Sequence, residues 1–129
     1  MPEEVRKESV NTMTGIVAYA AYLPLYRLNR AEIGRAWGSG GKGEKAVASH
    51  DEDALTMAVA AAQQCLRDVD INSVDGVYFA STTAPYGEKQ SAATIAAALG
   101  MKAEVCAMDF GGSLRSGTNA LRAAADAVK

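Results

Sequence analysis

The first long apolar run of the chain is Gly15 to Leu23 (Gly-Ile-Val-Ala-Tyr-Ala-Ala-Tyr-Leu). Its near-continuous apolar character predicts a mostly buried strand, ended by Pro24. Asn29 is suited to cap a short helix over Arg30 to Trp37. The run Gly38-Ser-Gly-Gly-Lys-Gly-Glu-Lys45 predicts a flexible loop. From His50 to Asp68, Leu55, Val59, Ala62, Leu66 and Val69 recur at helical spacing. Val74 to Ser81 predicts a second strand, and Thr82 to Lys89, with Pro85 and Gly87, a loop. Ser91 to Leu99 predicts a helix closed by Gly100 in the left-handed position. Ala103 to Asp109 predicts a third strand, with Glu104, Cys106 and Met108 on one side and Val105 and Ala107 on the other. Leu114 to Val128 predicts a last helix, with Leu114, Thr118, Leu121, Ala125 and Val128 spaced by fours and threes.

Strands alternating with helices argue for a layered α/β sheet. Residues 1–13 are polar and charged at their start and predict a flexible tail. Residues 14–129 are long enough for one domain with a modest core. Several alanine-rich helix faces need a further partner to bury them, which predicts a piece of a longer enzyme or a protein completed by another chain. Hydrophobic residues make up 49% and charged residues 22%, the ordinary globular range. A net charge of −2 gives no electrostatic reason to expect nucleic acid. The polar start is unlike a signal peptide, and no stretch approaches the roughly 18 apolar residues of a membrane span. The expected compartment is the cytoplasm.

The chemistry-bearing stretch is Asp109-Phe-Gly-Gly-Ser-Leu-Arg-Ser-Gly-Thr-Asn-Ala-Leu121. A strand passing through two glycines into a helix can present a side chain at the helix N-terminus, where backbone N–H groups favour a thiolate or an oxyanion. The glycines can equally serve only to make the turn. The loop at Gly38–Lys45 does not satisfy a phosphate-binding P-loop. Glu44 follows Gly43 where that motif needs Lys and then Ser or Thr, and no strand directly precedes it. The acidic triplet Asp51, Glu52 and Asp53 reads as helix-start electrostatics rather than a metal site. Two cysteines, Cys65 and Cys106, and one histidine, His50, offer no zinc set.

Four stretches in order resemble the thiolase superfamily of condensing enzymes, and within it the archaeal and bacterial hydroxymethylglutaryl-CoA synthases. They are Gly15 through Pro24; Gly43-Glu-Lys-Ala-Val47 with His50 through Ala58; Val77 through Tyr86 with Lys89 and Ala92 through Gly100; and Asp109 through Gly117-Thr118-x-Ala120-Leu121. The resemblance implies a thiolase-like layered αβα fold, of which this chain would be the N-terminal part of the first half. It implies acyl-CoA condensation or acyl transfer, with acyl-CoA as substrate or ligand and no separate cofactor.

Only matching positions carry the family's residue roles. The family's cysteine nucleophile falls at Leu114, counted from Asp109 or back from Gly117, and leucine forms no acyl thioester. The synthases' acid/base glutamate falls at Thr82, and threonine cannot replace that carboxylate. The later histidine and asparagine of the family would lie beyond Lys129. No catalytic residue is therefore assigned. Ser113 and Cys106 are substitute nucleophiles of low weight. Ser116 flanks the same position, Cys65 reads as core, and His50 reads as preceding or capping a helix. Arg115, Gly112 and Ser113 are ligand-binding candidates. Arg115 would meet a phosphate or carboxylate, or else pair structurally with Asp109 or another acid. The resemblance also implies a homodimer through the 103–109 strand and association with a small OB-fold, zinc-ribbon protein. The alternative function is a non-catalytic thiolase-like subunit that binds acyl-CoA or a partner.

Overall fold

The computed structural model describes residues 13–129, so the expected tail lies, apart from Met13, outside the described residues. The run Gly15–Leu23 forms no strand among the described residues, contrary to its pattern. Ile16, Val17, Tyr19 and Leu23 are exposed. An apolar run reports what a segment can bury, whereas a strand also needs an available edge. The first strand, β1 (Tyr26–Asn29), instead follows Pro24. It pairs antiparallel with β2 (Glu44–Val47), Tyr26 opposite Val47 and Asn29 opposite Glu44.

Between them lies α1 (Arg30–Trp37), capped by Asn29, whose Oδ1 accepts the Ala31 N–H at 2.9 Å. The glycine run is therefore not simply a loop, because its end becomes β2. It also wraps closely on α1: the Arg30 N–H donates to the Gly43 carbonyl at 2.8 Å, and Arg30 Nε donates to the Gly40 carbonyl at 2.8 Å. A side chain at Gly40 would overlap the Arg30 carbonyl, so this close approach needs glycine.

The next helix, α2 (Ala54–Cys65), is shorter than the His50–Asp68 span at both ends. Asp53 caps it, accepting the Leu55 and Thr56 N–H groups at 2.9 and 2.8 Å, while Thr56 Oγ1 accepts the Asp53 N–H at 2.8 Å. This reciprocal capping box fixes the start, so Asp51 and Glu52 precede the helix. Glu52 accepts the Ser49 N–H at 2.8 Å and the Tyr22 hydroxyl, a bond that raises the Tyr22 pKa. Leu66 caps the helix end, and Val69 falls beyond it.

The core forms on β3 (Gly76–Ala80) and β4 (Cys106–Phe110), a parallel pair with Gly76 opposite Cys106 and Ala80 opposite Phe110. Ala103, Glu104 and Val105 of the expected strand lie outside β4. One face of the pair carries Val77, Phe79 and Ala107, packed with Leu55 of α2 and with Ala92 and Ile95 of α3 (Ser91–Ala98). Ala92 and Ala96 are small enough to let α3 sit close on the strands. Leu99 and Gly100 end α3 in a Schellman motif: the Gly100 N–H reaches the Ala97 carbonyl at 3.1 Å, and the Met101 N–H the Ala96 carbonyl at 3.0 Å.

On the other face, Tyr78 meets Phe110 edge to face at 6.0 Å. That face carries α4 (Ser116–Ala127), which begins two residues later than its pattern indicates. The larger residues of the expected stripe, Leu114, Leu121 and Val128, stay exposed. The buried residues are instead the small Ser116 and Ala120, four apart on one face of the helix, and Leu121 falls on a different face. No described helix is long and apolar enough to cross a membrane.

Two stability predictions follow from these contacts. Hydrogen bonding, chiefly from the Thr56 N–H, holds the Asp53 carboxyl below the usual range. Its contribution is then present above the unfolded-chain pKa and lost as pH falls through the lower folded value. Asp53→Ala should cost about 1 kcal/mol at neutral pH, and the gap should close below about pH 4 in urea unfolding. Ser91 is fully enclosed, and its hydroxyl has no hydrogen-bond partner among the described residues. Ser91→Ala should therefore raise the unfolding free energy by about 1 kcal/mol in the same assay.

Candidate functional site

Parallel strands deliver their C-terminal ends to the same side, where ligands of open α/β sheets bind. Here β3 runs into Ser81 and Thr82, and β4 runs into Gly111–Arg115. The Ser81 N–H donates to the Phe110 carbonyl at 3.1 Å, which extends the pairing one residue past β3. Gly112 then turns the chain with a φ of 72°, a conformation that favours glycine.

The turn builds its own start for α4. Ser113 Oγ accepts the Arg115 N–H at 3.1 Å, and the Ser113 carbonyl accepts both the Ser116 N–H at 3.1 Å and the Ser116 hydroxyl at 2.6 Å. Leu114 is thereby held outward, 96% exposed. Ala80, Ser81, Thr82, Ser113, Leu114, Ser116 and Gly117 line one open depression of about 390 Å³. Its hydroxyls come from Ser81, Thr82, Ser113 and Ser116. None of the lining residues carries a thiol, carboxylate, imidazole or amine, so the lining offers hydrogen bonds to a neutral polar group and an apolar contact at Leu114.

Thr82 and Leu114, far apart in sequence, thus meet in one depression, and Ser113 joins them with its hydroxyl already engaged in the turn. Gly112 shapes the turn. Arg115 occupies the cap position of α4 and is absent from the lining. It makes no salt bridge among the described residues, and Asp109 turns away from it. The Asp109 carboxylate instead accepts the Ser91 and Ala92 N–H groups of α3 at 2.6 and 2.7 Å. That bond leaves no trace in the local pattern, since its partners are 17 and 18 residues away.

Cys106 sits at the opposite end of β4, beside a separate cavity bordered by Ser73–Gly76, Tyr78, Ala124 and Val128. Cys65 is half-buried at the end of α2, and both cysteines are free. His50 lies exposed before α2, its Nδ1 3.3 Å from Ser49 Oγ. Among the described residues, no group of three or more His, Cys, Asp or Glu side chains could hold a metal ion.

No protein-family model matches the chain. Curated relatives do. Hydroxymethylglutaryl-CoA synthase of Pyrococcus horikoshii is 41% identical over 114 residues, covering 85% of this chain and 33% of the relative. The same enzyme of Pyrococcus furiosus is 42% identical over the same shares. A solved structure of MvaS in complex with 3-hydroxy-3-methylglutaryl coenzyme A matches with a TM-score of 0.78 and 25% identity, over 88% of this chain and 30% of that one. The chain is thiolase-like and related to the hydroxymethylglutaryl-CoA synthases. A β-ketoacyl-[acyl carrier protein] synthase III from Thermus thermophilus matches with a TM-score of 0.71 and 27% identity, over 85% of this chain and 37% of that one. The layered α/β fold expected from the motifs is therefore found. The thiolase-like chain spans about a third of the length of the curated relatives it matches.

The turn makes a specific demand on Gly112. A Cβ there would meet no neighbouring atom, so only the positive φ opposes a side chain. Gly112→Val should cost roughly 1–2 kcal/mol in chemical denaturation, and Gly112→Asn clearly less, because asparagine tolerates the left-handed region.

Proposed function

We propose that this is an acyl-CoA-handling protein of the hydroxymethylglutaryl-CoA synthase type in which the covalent acyl-enzyme step is missing. The observation that carries the reading is the meeting of Thr82 and Leu114 in one depression whose lining lacks a thiol and a carboxylate. In this reading Leu114 stands where the related synthases use their nucleophile, and Thr82 stands where they use a carboxylate. The hydroxyls of Thr82 and Ser81 offer hydrogen bonds to a thioester carbonyl, Leu114 gives it an apolar neighbour, and Gly112, Ser113 and Arg115 form the turn beside it. Non-covalent binding of an acyl-CoA follows, and the chain by itself is inactive as a synthase. Its place is the cytoplasm, where coenzyme A thioesters are handled.

The second reading, a subunit that pairs with another chain, is favoured by β4. That strand is hydrogen-bonded to β3 alone among the described strands, and Met108 and Cys106 on it are exposed. An open strand edge is a surface that another chain can extend. A second copy and a small OB-fold, zinc-ribbon protein are the partners this reading names.

Incubation with acetyl-CoA, followed by intact-protein mass spectrometry and calorimetry, tests the first reading. The expected outcome is measurable binding without an acetyl adduct. Leu114→Cys should then acquire one, because the helix start lowers a thiol's pKa. An adduct on Ser113 or Cys106 of the unaltered chain, or no binding heat, would overturn the proposal.

A further inference from the structure

The two walls of the depression come from different segments. One is the start of the loop that leaves β3 at Ser81 and Thr82; the other is the turn that leaves β4. Both ends of that loop are tied to β4. At its start, the Ser81 N–H is bonded to the Phe110 carbonyl at 3.1 Å. At its far end, where the loop enters α3, Gln90 Nε2 donates to the Ala107 carbonyl at 2.7 Å, and the Ser91 and Ala92 N–H groups donate to the two carboxylate oxygens of Asp109. Gln90 itself makes no side-chain cap for α3, so the carboxylate that completes the helix start comes from another strand. Asp109 faces α3 because its register partner is Phe79, which points into the same side of the pair. Two residues on from Asp109, the chain enters the Gly111–Arg115 turn.

We infer that Asp109 is a positioning residue for this site. Its carboxylate holds the Thr82 loop and the Leu114 turn to a single spacing by latching the start of α3 onto the end of β4. The inference rests on the reading that this depression is the functional site, but its central measurement needs no ligand. A carboxylate accepts both N–H groups. Asparagine offers one oxygen and turns its NH₂ toward the second donor, so the latch is half lost without a change in size.

The experiment uses the full chain with Cys65→Ala and Cys106→Ala, and spin labels on Thr82→Cys and Leu114→Cys. Electron paramagnetic resonance then reads the distance distribution across the depression. With Asp109 intact the distribution should be narrow, and Asp109→Asn should broaden it. Ala97→Gly, on the exposed side of α3, weakens the helix without touching the latch and should leave the distribution narrow. Gln90→Ala removes only the bond to Ala107 and should broaden it slightly, which keeps a test in hand if Asp109→Asn does not fold. An unchanged distribution in the latch variants, or equal broadening in Ala97→Gly, would overturn the inference. Acetyl-CoA binding by the unlabelled Asp109→Asn protein should weaken by about tenfold. Absence of acetyl-CoA binding in every form, with the distance result intact, would count against the ligand reading and leave the positioning role standing.

Discussion

The parallel pairing of β3 with β4 places nearly everything else. Two parallel strands cannot be joined by a tight turn, so the chain must travel back between them, and α3 is the element that makes this return. The return leaves one face of the pair for α3 and α2 and the other for α4. It also brings both strand ends out on the same side. Phe79, Val77 and Ala107 point into the first face because strands alternate, and the alanines of α3 answer them by letting the helix lie close. The residues that form the depression are brought together by this topology, although they have no common sequence motif.

Much of this was legible in the sequence. The helices over Ser91–Ala98 and Ser116–Ala127, and the strands over Gly76–Ala80 and Cys106–Phe110, were each indicated by periodicity, with boundaries displaced by a few residues. Gly100 ended α3 as expected. The failures share a physical origin. Periodicity weighs large apolar side chains, so it chose Leu114, Leu121 and Val128 as the packed stripe of α4. The helix instead buries the face that carries Ser116 and Ala120. Likewise the uncharged run at Gly15–Leu23 looked more strand-like than Tyr26–Asn29, yet the available antiparallel partner belonged to the latter. Local chemistry describes a segment's capacity, whereas pairing depends on geometry set elsewhere.

The site followed the same division. Ordered motifs singled out Leu114 and Thr82 from a family resemblance, and the fold brings both into one depression. The tie from Asp109 to α3 was missed, and the sequence suggested Arg115 as a partner instead. A carboxylate at a strand end carries no signal of which distant helix it will complete. The acidic residues before α2 differ among themselves for a related reason: only Asp53 has the spacing to Thr56 that makes a reciprocal cap, and Glu52 is drawn to Tyr22 and Ser49.

The stretch from Gly15 to Leu23 has a consequence of another kind. It holds no charge and no proline, and it exposes Ile16, Val17 and Tyr19 while belonging to no strand. Those are the attributes of a segment that stacks on copies of itself in cross-β form. Shelter for this segment then matters for colloidal behaviour as much as for architecture.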